Sequence, residues 1–297
     1  MEAVEALRKT IHVTQELHSV VKTMKVLAGL NIGVYERAAH VVAEYNRTVK
    51  MGLQVALQRM GEPVSPSRAS PDRKLGVIVF GSDQGMCGQL NDLIVDHALR
   101  ALARFPLNRL NHTVLAVGLR AGAQLENSGR SVDATLDVRG SPAGITGTVH
   151  EVLRLIEDWH SKRGVEMVVL FYCRLISGVV YRACGIRVLP VDAQWIRNLK
   201  ARRWPSNVIP TYRMETERLF QSLIREYLFV SLFRAFAESL ASENASRLAS
   251  MQVAERKIED RLKELTSEFS QSRQASITSE LLDIVSAFEA LKGKGSD

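Results

Sequence analysis

Residues 241–269 read ASENASRLASMQVAERKIEDRLKELTSEF, and within them Ala241, Ala245, Leu248, Gln252, Glu255, Ile258, Leu262, Leu265 and Phe269 recur at steps of three and four. Side chains at that spacing share one stripe of an α-helix, so the segment predicts a helix with a seam to bury. The surrounding run, residues 211–292, contains neither proline nor glycine. About 75 helical residues would extend about 110 Å at 1.5 Å per residue, far more than an ordinary globular helix. Ile277, Leu281, Ile284, Phe288 and Leu291 resume the spacing after one slip in register beyond Phe269, the pattern of a coiled-coil stutter.

A stripe of that length needs a partner, because an isolated helix gains most of its stability from packing its apolar face. Residues 1–60 supply one. They lack proline, and Val4, Leu7, Ile11, Thr14, His18, Val21, Lys25, Ala28, Ile32 and Tyr35 alternate at three and four. A second set, Val13, Leu17, Val20, Met24, Leu27, Asn31, Val34, Ala38, Val41 and Tyr45, runs beside the first. This helix therefore has two faces to cover. Gly29 and Gly33 weaken it locally, by about 1 kcal/mol each relative to alanine, and favour a bend.

Between the two helices the periodicity changes. Residues 61–72, with Pro63, Pro66 and Pro71, read as a linker. Residues 73–210 hold β-branched runs at 75–80, 112–117, 131–136, 166–173 and 179–189, with helical segments near 91–104, 120–127 and 143–162 between the first four. The connection at 176–178 is too short for a crossover helix, so the last two strands form an antiparallel hairpin and the sheet is mixed. The expected fold is an α/β, Rossmann-like domain (73–210) inserted between an N-terminal helix (1–60) and a C-terminal helix (211–292) that pair as a long coiled coil, with residues 293–297 as a tail.

Composition restricts the chemistry. The 39 basic and 32 acidic residues leave a formal charge of +7, which attracts acidic partners of several kinds. Cys87, Cys173 and Cys184 follow no metal-ligand or disulfide spacing and fit a reducing compartment. His12 and His18 are not spaced as a metal pair, no apolar run spans a bilayer, and the helical pattern from Glu2 onward leaves no room for a targeting peptide. The glycine-rich turn 81–88, GSDQGMCG, could cradle phosphate on its backbone, but it lacks the spacing of a nucleotide fingerprint. A tight strand-to-helix turn with Asp83 bonding backbone is the simpler reading, with Cys87 structural. Arg197, Lys200, Arg202 and Arg203, beside Trp195 and Trp204, read as a solvated basic loop with amphipathic anchors, or alternatively as a nucleic-acid patch. Neither a cofactor nor a metal is indicated.

Several segments together carry a family resemblance. VVKTMKVLA at 20–28 resembles a family helix of the form ITKAMxMVA, SDQGMCGQLN at 82–91 resembles SDRGLCGGLN, and SENASRL at 242–248 and SRQASITSEL at 272–281 resemble SExAARM and ARQASITxEL. That family is the gamma subunit of F-type ATP synthases. The resemblance implies a non-catalytic central stalk: an antiparallel, left-handed coiled coil inside a ring of alpha and beta subunits, whose rotation couples ion flow through a membrane c-ring to ATP synthesis or hydrolysis in beta. The α/β domain would sit outside the ring near the epsilon subunit and the c-ring, peripheral to the cytoplasmic side of a bacterial inner membrane. Carried over residue by residue, Lys22, Met24, Lys25, Arg247, Arg273, Gln274 and Thr278 would contact the ring. Gln84 replaces the family's usual arginine, Gln89 a glycine, and LAGLN at 27–31 the usual VAASK, which marks a divergent member. A phosphate- or nucleotide-binding α/β enzyme, or a basic coiled-coil nucleic-acid adaptor, is the alternative. Leu262→Pro should break the long helix, at about 3 kcal/mol or more, and abolish coupling with the α/β domain still folded. Wild-type coupling in that variant would contradict the shaft reading.

Overall fold

The computed structural model describes residues 2–60, 74–104, 112–138, 140–191 and 193–293. The expected linker at 61–72 and tail residues 294–297 lie outside the described residues. The order is α1 (Glu2–Arg59), β1 (Lys74–Phe80), α2 (Leu90–Ala103), β2 (His112–Val117), α3 (Leu119–Asn127), β3 (Ala134–Leu136), α4 (Pro142–Asp158), a π-helical turn (Trp159–Arg163), β4 (Val165–Ser177), β5 (Val180–Leu189), α5 (Ala193–Ala201) and α6 (Thr216–Gly293). Two compact units divide the chain: residues 1–27 with 250–297, and residues 28–249.

In the larger unit the five strands lie in the order β3-β2-β1-β4-β5. The first four are mutually parallel, and β5 returns antiparallel to β4, as the short hairpin requires. From Leu75 onward β1 is buried on both faces, the mark of a sheet covered by helices on either side. On one face Leu75, Val77 and Val79 pack with Leu90, Ile94 and Ala98 of α2. On the other, Ile78, Phe80 and Leu170 meet Ile145, Val149 and Val152 of α4 together with Leu232, Phe236 and Leu240 of α6. The terminal helix is thus part of the domain core. The Phe80 and Phe236 rings stand 5.0 Å apart.

Each unit contains an antiparallel stretch of α1 and α6. In the smaller one Lys25 pairs with Glu255 and His18 with Glu259. In the larger one Asn31 meets Asn244 and Tyr45 meets Glu226, and Val49, Leu53 and Leu57 pack with Phe220 and Leu223. The first seam of α1 is the inner one: Val21, Ala28 and Tyr35 are buried, and its other members are partly covered. The second seam is largely exposed, at Val13, Leu17, Val20, Leu27, Val41 and Tyr45.

Four expectations need correction. No register slip occurs in the covered stripe of α6, which runs in phase from Leu265 and Phe269 through Ser272 and Ser276. Ile277, Leu281 and Ile284 are exposed instead. The pairs 18–259 and 25–255 bring the first turn of α1 opposite residues near 276, so among the described residues no part of α1 lies beside α6 beyond that point. The third strand is shorter than expected because Asp133 is diverted: its carboxylate accepts from Val114 N and pairs with Arg163. Residues 193–201 form a helix where a basic loop was expected, since Trp195, Ile196 and Leu199 share a face that packs on α1 and α6; α6 in turn starts at Thr216, later than the uninterrupted run at 211.

Gly118 fixes the approach of two turns. Its φ is +116°, and a Cβ there would stand 2.8 Å from Gly81 C and 2.9 Å from Ser82 N. Backbone cannot give way as a side-chain tip can, so Gly118→Ala should cost about 2 kcal/mol or more. The urea midpoint read by fluorescence of buried Trp159 should fall; an unchanged midpoint would refute the crowding.

Candidate functional site

The turn 81–88 spends its polar groups on the protein itself. Asp83 accepts from Leu119 N (2.9 Å) and from Val138 N (2.6 Å), placing a carboxylate at the N-terminus of α3, where partial positive charge favours it. Ser82 is fully buried; its N–H donates to Asn91 Oδ1 and its hydroxyl to Gln84 O, while Asn91 Nδ2 donates to Ser82 Oγ. Cys87 is buried, and burial pushes its thiol up from the ordinary range, which disfavours the thiolate a nucleophile needs. The turn is a structural joint, and it is aimed at α6.

That joint explains the residue pattern at 242–247. Ser242 donates to Cys173 O at the end of the core stretch of β4 (3.0 Å), and Ser246, one helical turn on, donates to Cys87 O in the glycine turn. Tyr181 of β5 bonds Ser246 at 2.9 Å. Arg174 pairs with Glu238, which also receives Arg234. Tyr35 of α1, buried in the same cluster as Phe236 and Leu240, donates to Gly140 O. Burying Leu232, Phe236 and Leu240 stabilises by about 1.5–3 kcal/mol per side chain, against about 1 kcal/mol net per hydrogen bond. Packing therefore holds the sheet on α6, while the directional serine bonds set where along the helix it sits.

Glu243 and Arg247 lie between these bonds, both buried, 2.6 Å apart. Glu243 Oε2 and Arg247 Nε have no other partner. Burial pushes the Glu243 carboxyl up and Arg247 pulls it back down.

The residues expected at the ring separate into two groups. Lys22, Arg273, Gln274 and Thr278 are exposed and Met24 is half-covered; Thr278 Oγ1 donates to Gln274 O within the helix. Lys25 and Arg247 are engaged inside the chain, Lys25 with Glu255 and Arg247 with Glu243. The hydrogen bond from Lys25 holds the Glu255 carboxyl below the usual glutamate range. His18 completes this small network through Glu259, and the His18, Glu255 and Glu259 ligand atoms lie within 4.8 Å of one another. Sequence reasoning missed the roles of Ser242, Ser246 and Glu243; the recurrence of serine at 239, 242, 246 and 250, in steps of three and four, was the available signal.

Two outcomes follow from these charges. Arg247→Met leaves Glu243 buried and uncompensated, which should cost about 3–5 kcal/mol at neutral pH, while Glu243→Leu with Arg247→Met should restore most of it. The single-variant penalty should shrink on acidification, because Glu243 can take a proton; an equal penalty for single and double variants would refute the pair. The Glu255 contribution has the opposite sign. Its depressed pKa makes it present above the ordinary glutamate value and lost as pH falls through the folded value. Protection factors for hydrogen exchange around residues 250–262, corrected for the intrinsic pH dependence of amide exchange, should therefore fall in acid, and Lys25→Ala should remove that fall.

Known proteins resemble this chain over nearly its whole length. The family model described as ATP synthase matches residues 3–291. The ATP synthase gamma chain of Thermobifida fusca (strain YX) is 26% identical over 293 residues, covering 96% of this chain and 95% of that protein. That of Magnetococcus marinus is 25% identical, covering 99% and 100%. A chain from the cryo-EM structure of Euglena gracilis mitochondrial ATP synthase, OSCP/F1/c-ring, shares the fold with a TM-score of 0.67 at 15% identity, covering 100% of this chain and 97% of that one. With the match running from α1 to the last turns of α6, the chain belongs to the ATP synthase gamma family.

Proposed function

We propose that this chain turns as the central stalk of a rotary F-type ATP synthase, inside a ring of alpha and beta subunits. As a member of the gamma family it is a non-catalytic subunit. The observation that carries the reading is the pair of seams on α1: the first is covered by the chain's own α6, while the second leaves Val13, Leu17, Val20 and Leu27 more than half exposed. Monomeric proteins seldom leave a long apolar stripe bare. Ile277, Leu281, Leu282, Ile284 and Val285 add to the uncovered apolar surface on α6. A hydrophobic sleeve formed by partner subunits is the environment these side chains fit.

Within that sleeve Lys22, Met24, Arg273, Gln274 and Thr278 face the ring, and the basic side chains suit acidic loops on its inner surface. Lys25 and Arg247 serve the same contact indirectly, by holding α1 to α6 and the sheet to α6. The inserted domain, residues 73–210, stands toward the epsilon subunit and the c-ring. Rotation of an asymmetric stalk favours a different conformation of each beta subunit in turn, a population shift driven mechanically. No helix among the described residues is long and apolar enough to cross a membrane; the chain is a peripheral component, which we assign to the cytoplasmic face of a bacterial inner membrane.

Tight co-purification with alpha and beta subunits, and no ATPase activity in the isolated chain, are the expected results; failure to associate would end the proposal. Val20→Asp with Leu27→Asp discriminates further. Both side chains are exposed, so the isolated chain should keep its stability within about 0.5 kcal/mol per substitution, while ring association weakens at least about tenfold. Undiminished association would show that the second seam is not the contact.

A further inference from the structure

The basic residues near 200 serve neither the pairing of α1 with α6 nor the seating of the sheet. Arg202 and Arg203 follow the last turn of α5, and there they face one side of α1, where Arg47, Lys50 and Gln54 lie at steps of three and four. Gln54 Nε2 donates to the Arg202 carbonyl, and Leu199 is buried among Val49, Leu53 and Leu57, so the end of α5 is fixed against α1. Between the two elements lies a cavity of about 250 Å³ lined by Arg47, Lys50, Arg202 and Arg203. No carboxylate lines it among the described residues, and none of the four cations has a hydrogen bond or ion pair from its side chain there.

Arg47, Arg202 and Arg203 are exposed and Lys50 is half-buried, so these four cations, with no carboxylate among them, make a locally positive cavity that attracts an anion. Lys50 registers the crowding: burial, with Arg234 and Arg202 nearby, holds its ammonium below the ordinary lysine value. The cavity has room for about eight water molecules at roughly 30 Å³ each, the scale of one or two phosphate groups and below that of drug-sized ligands. Three guanidinium groups offer forked donors that match phosphate oxygens, and the lysine adds a point charge. We propose that this cavity is a phosphate-binding site, in which Arg47, Lys50, Arg202 and Arg203 clamp a small phosphate-bearing anion, either free in solution or as a phospholipid head group. The bound phosphate ties α5 to α1.

The test uses the purified full chain, with calorimetric titration by orthophosphate and by pyrophosphate, and flotation with vesicles of phosphatidylglycerol mixed equally with phosphatidylcholine against phosphatidylcholine alone. Saturable binding in at least one arm is expected, weakened about tenfold or more in Arg47→Gln with Arg202→Gln and unchanged in Arg154→Gln, a surface control on α4. Binding in the soluble arm identifies a free anion; vesicle binding that survives excess orthophosphate identifies a head group. No binding in either arm, equal binding by the double variant and the control, or tighter binding of a polyglutamate peptide than of either phosphate source would overturn the proposal. Lys50→Met gives an independent reading: it should raise the Tm of the unliganded chain by relieving like charge, and abolish the rise in Tm that phosphate produces. A lowered Tm without phosphate would make Lys50 a structural partner and contradict the assignment.

Discussion

The apolar stripe of α6 cannot be left in water, and most of the architecture answers that constraint. Near Val21 and Ala28 it is covered by the first seam of α1. Farther toward the start of α6, Leu232, Phe236 and Leu240 turn to the sheet, so one helix closes a coiled coil in one compact unit and a domain core in the other. Neither helix could be removed without exposing a surface that the rest of the chain has no other means to bury. The inserted domain is therefore not a passenger on a finished rod: its own layer is incomplete without α6.

Polar groups are placed where this packing leaves freedom. A hydrophobic stripe resists separation but tolerates sliding by a turn. Ser242 and Ser246, bonded to Cys173 O and Cys87 O, fix the sheet along α6, and Lys25 with Glu255 fixes α1 along it. The buried Glu243–Arg247 pair adds a stricter condition, because either charge without the other is expensive where water is excluded. Such a structure suits transmission of torque: large packed area for strength, few directional bonds for register.

How much of this was legible depended on signal length. The two long helices and their seams were readable because nine or ten successive positions at the three-four spacing outweigh interruptions such as His18 and Lys25. The mixed sheet was readable from the short hairpin at Gly178. Short-range features were not. Helix α5 has only Trp195, Ile196 and Leu199 to declare its face, too few for a period, and its basic residues read as a loop. The stutter was inferred from apolar residues alone, yet Ile277, Leu281 and Ile284 are exposed: Ile277 lies off the covered stripe that continues through Ser272 and Ser276, and Leu281 and Ile284 lie past the described end of α1. That Arg247 is engaged inside the chain was not legible either, since the spacing of Glu243 and Arg247 does not reveal that both are buried.

The pairing of α1 with α6 is tested most directly by a distance between spin labels at Lys22 and Arg256, both exposed on facing helices of one compact unit, with Cys184→Ser leaving only the buried native thiols. Helices packed 8–10 Å between axes should give, in the assembled complex, a single narrow distribution centred on the order of 20 Å once the label arms are added. A broad distribution, or one centred beyond about 40 Å, would mean that the two ends of the chain do not form a pair.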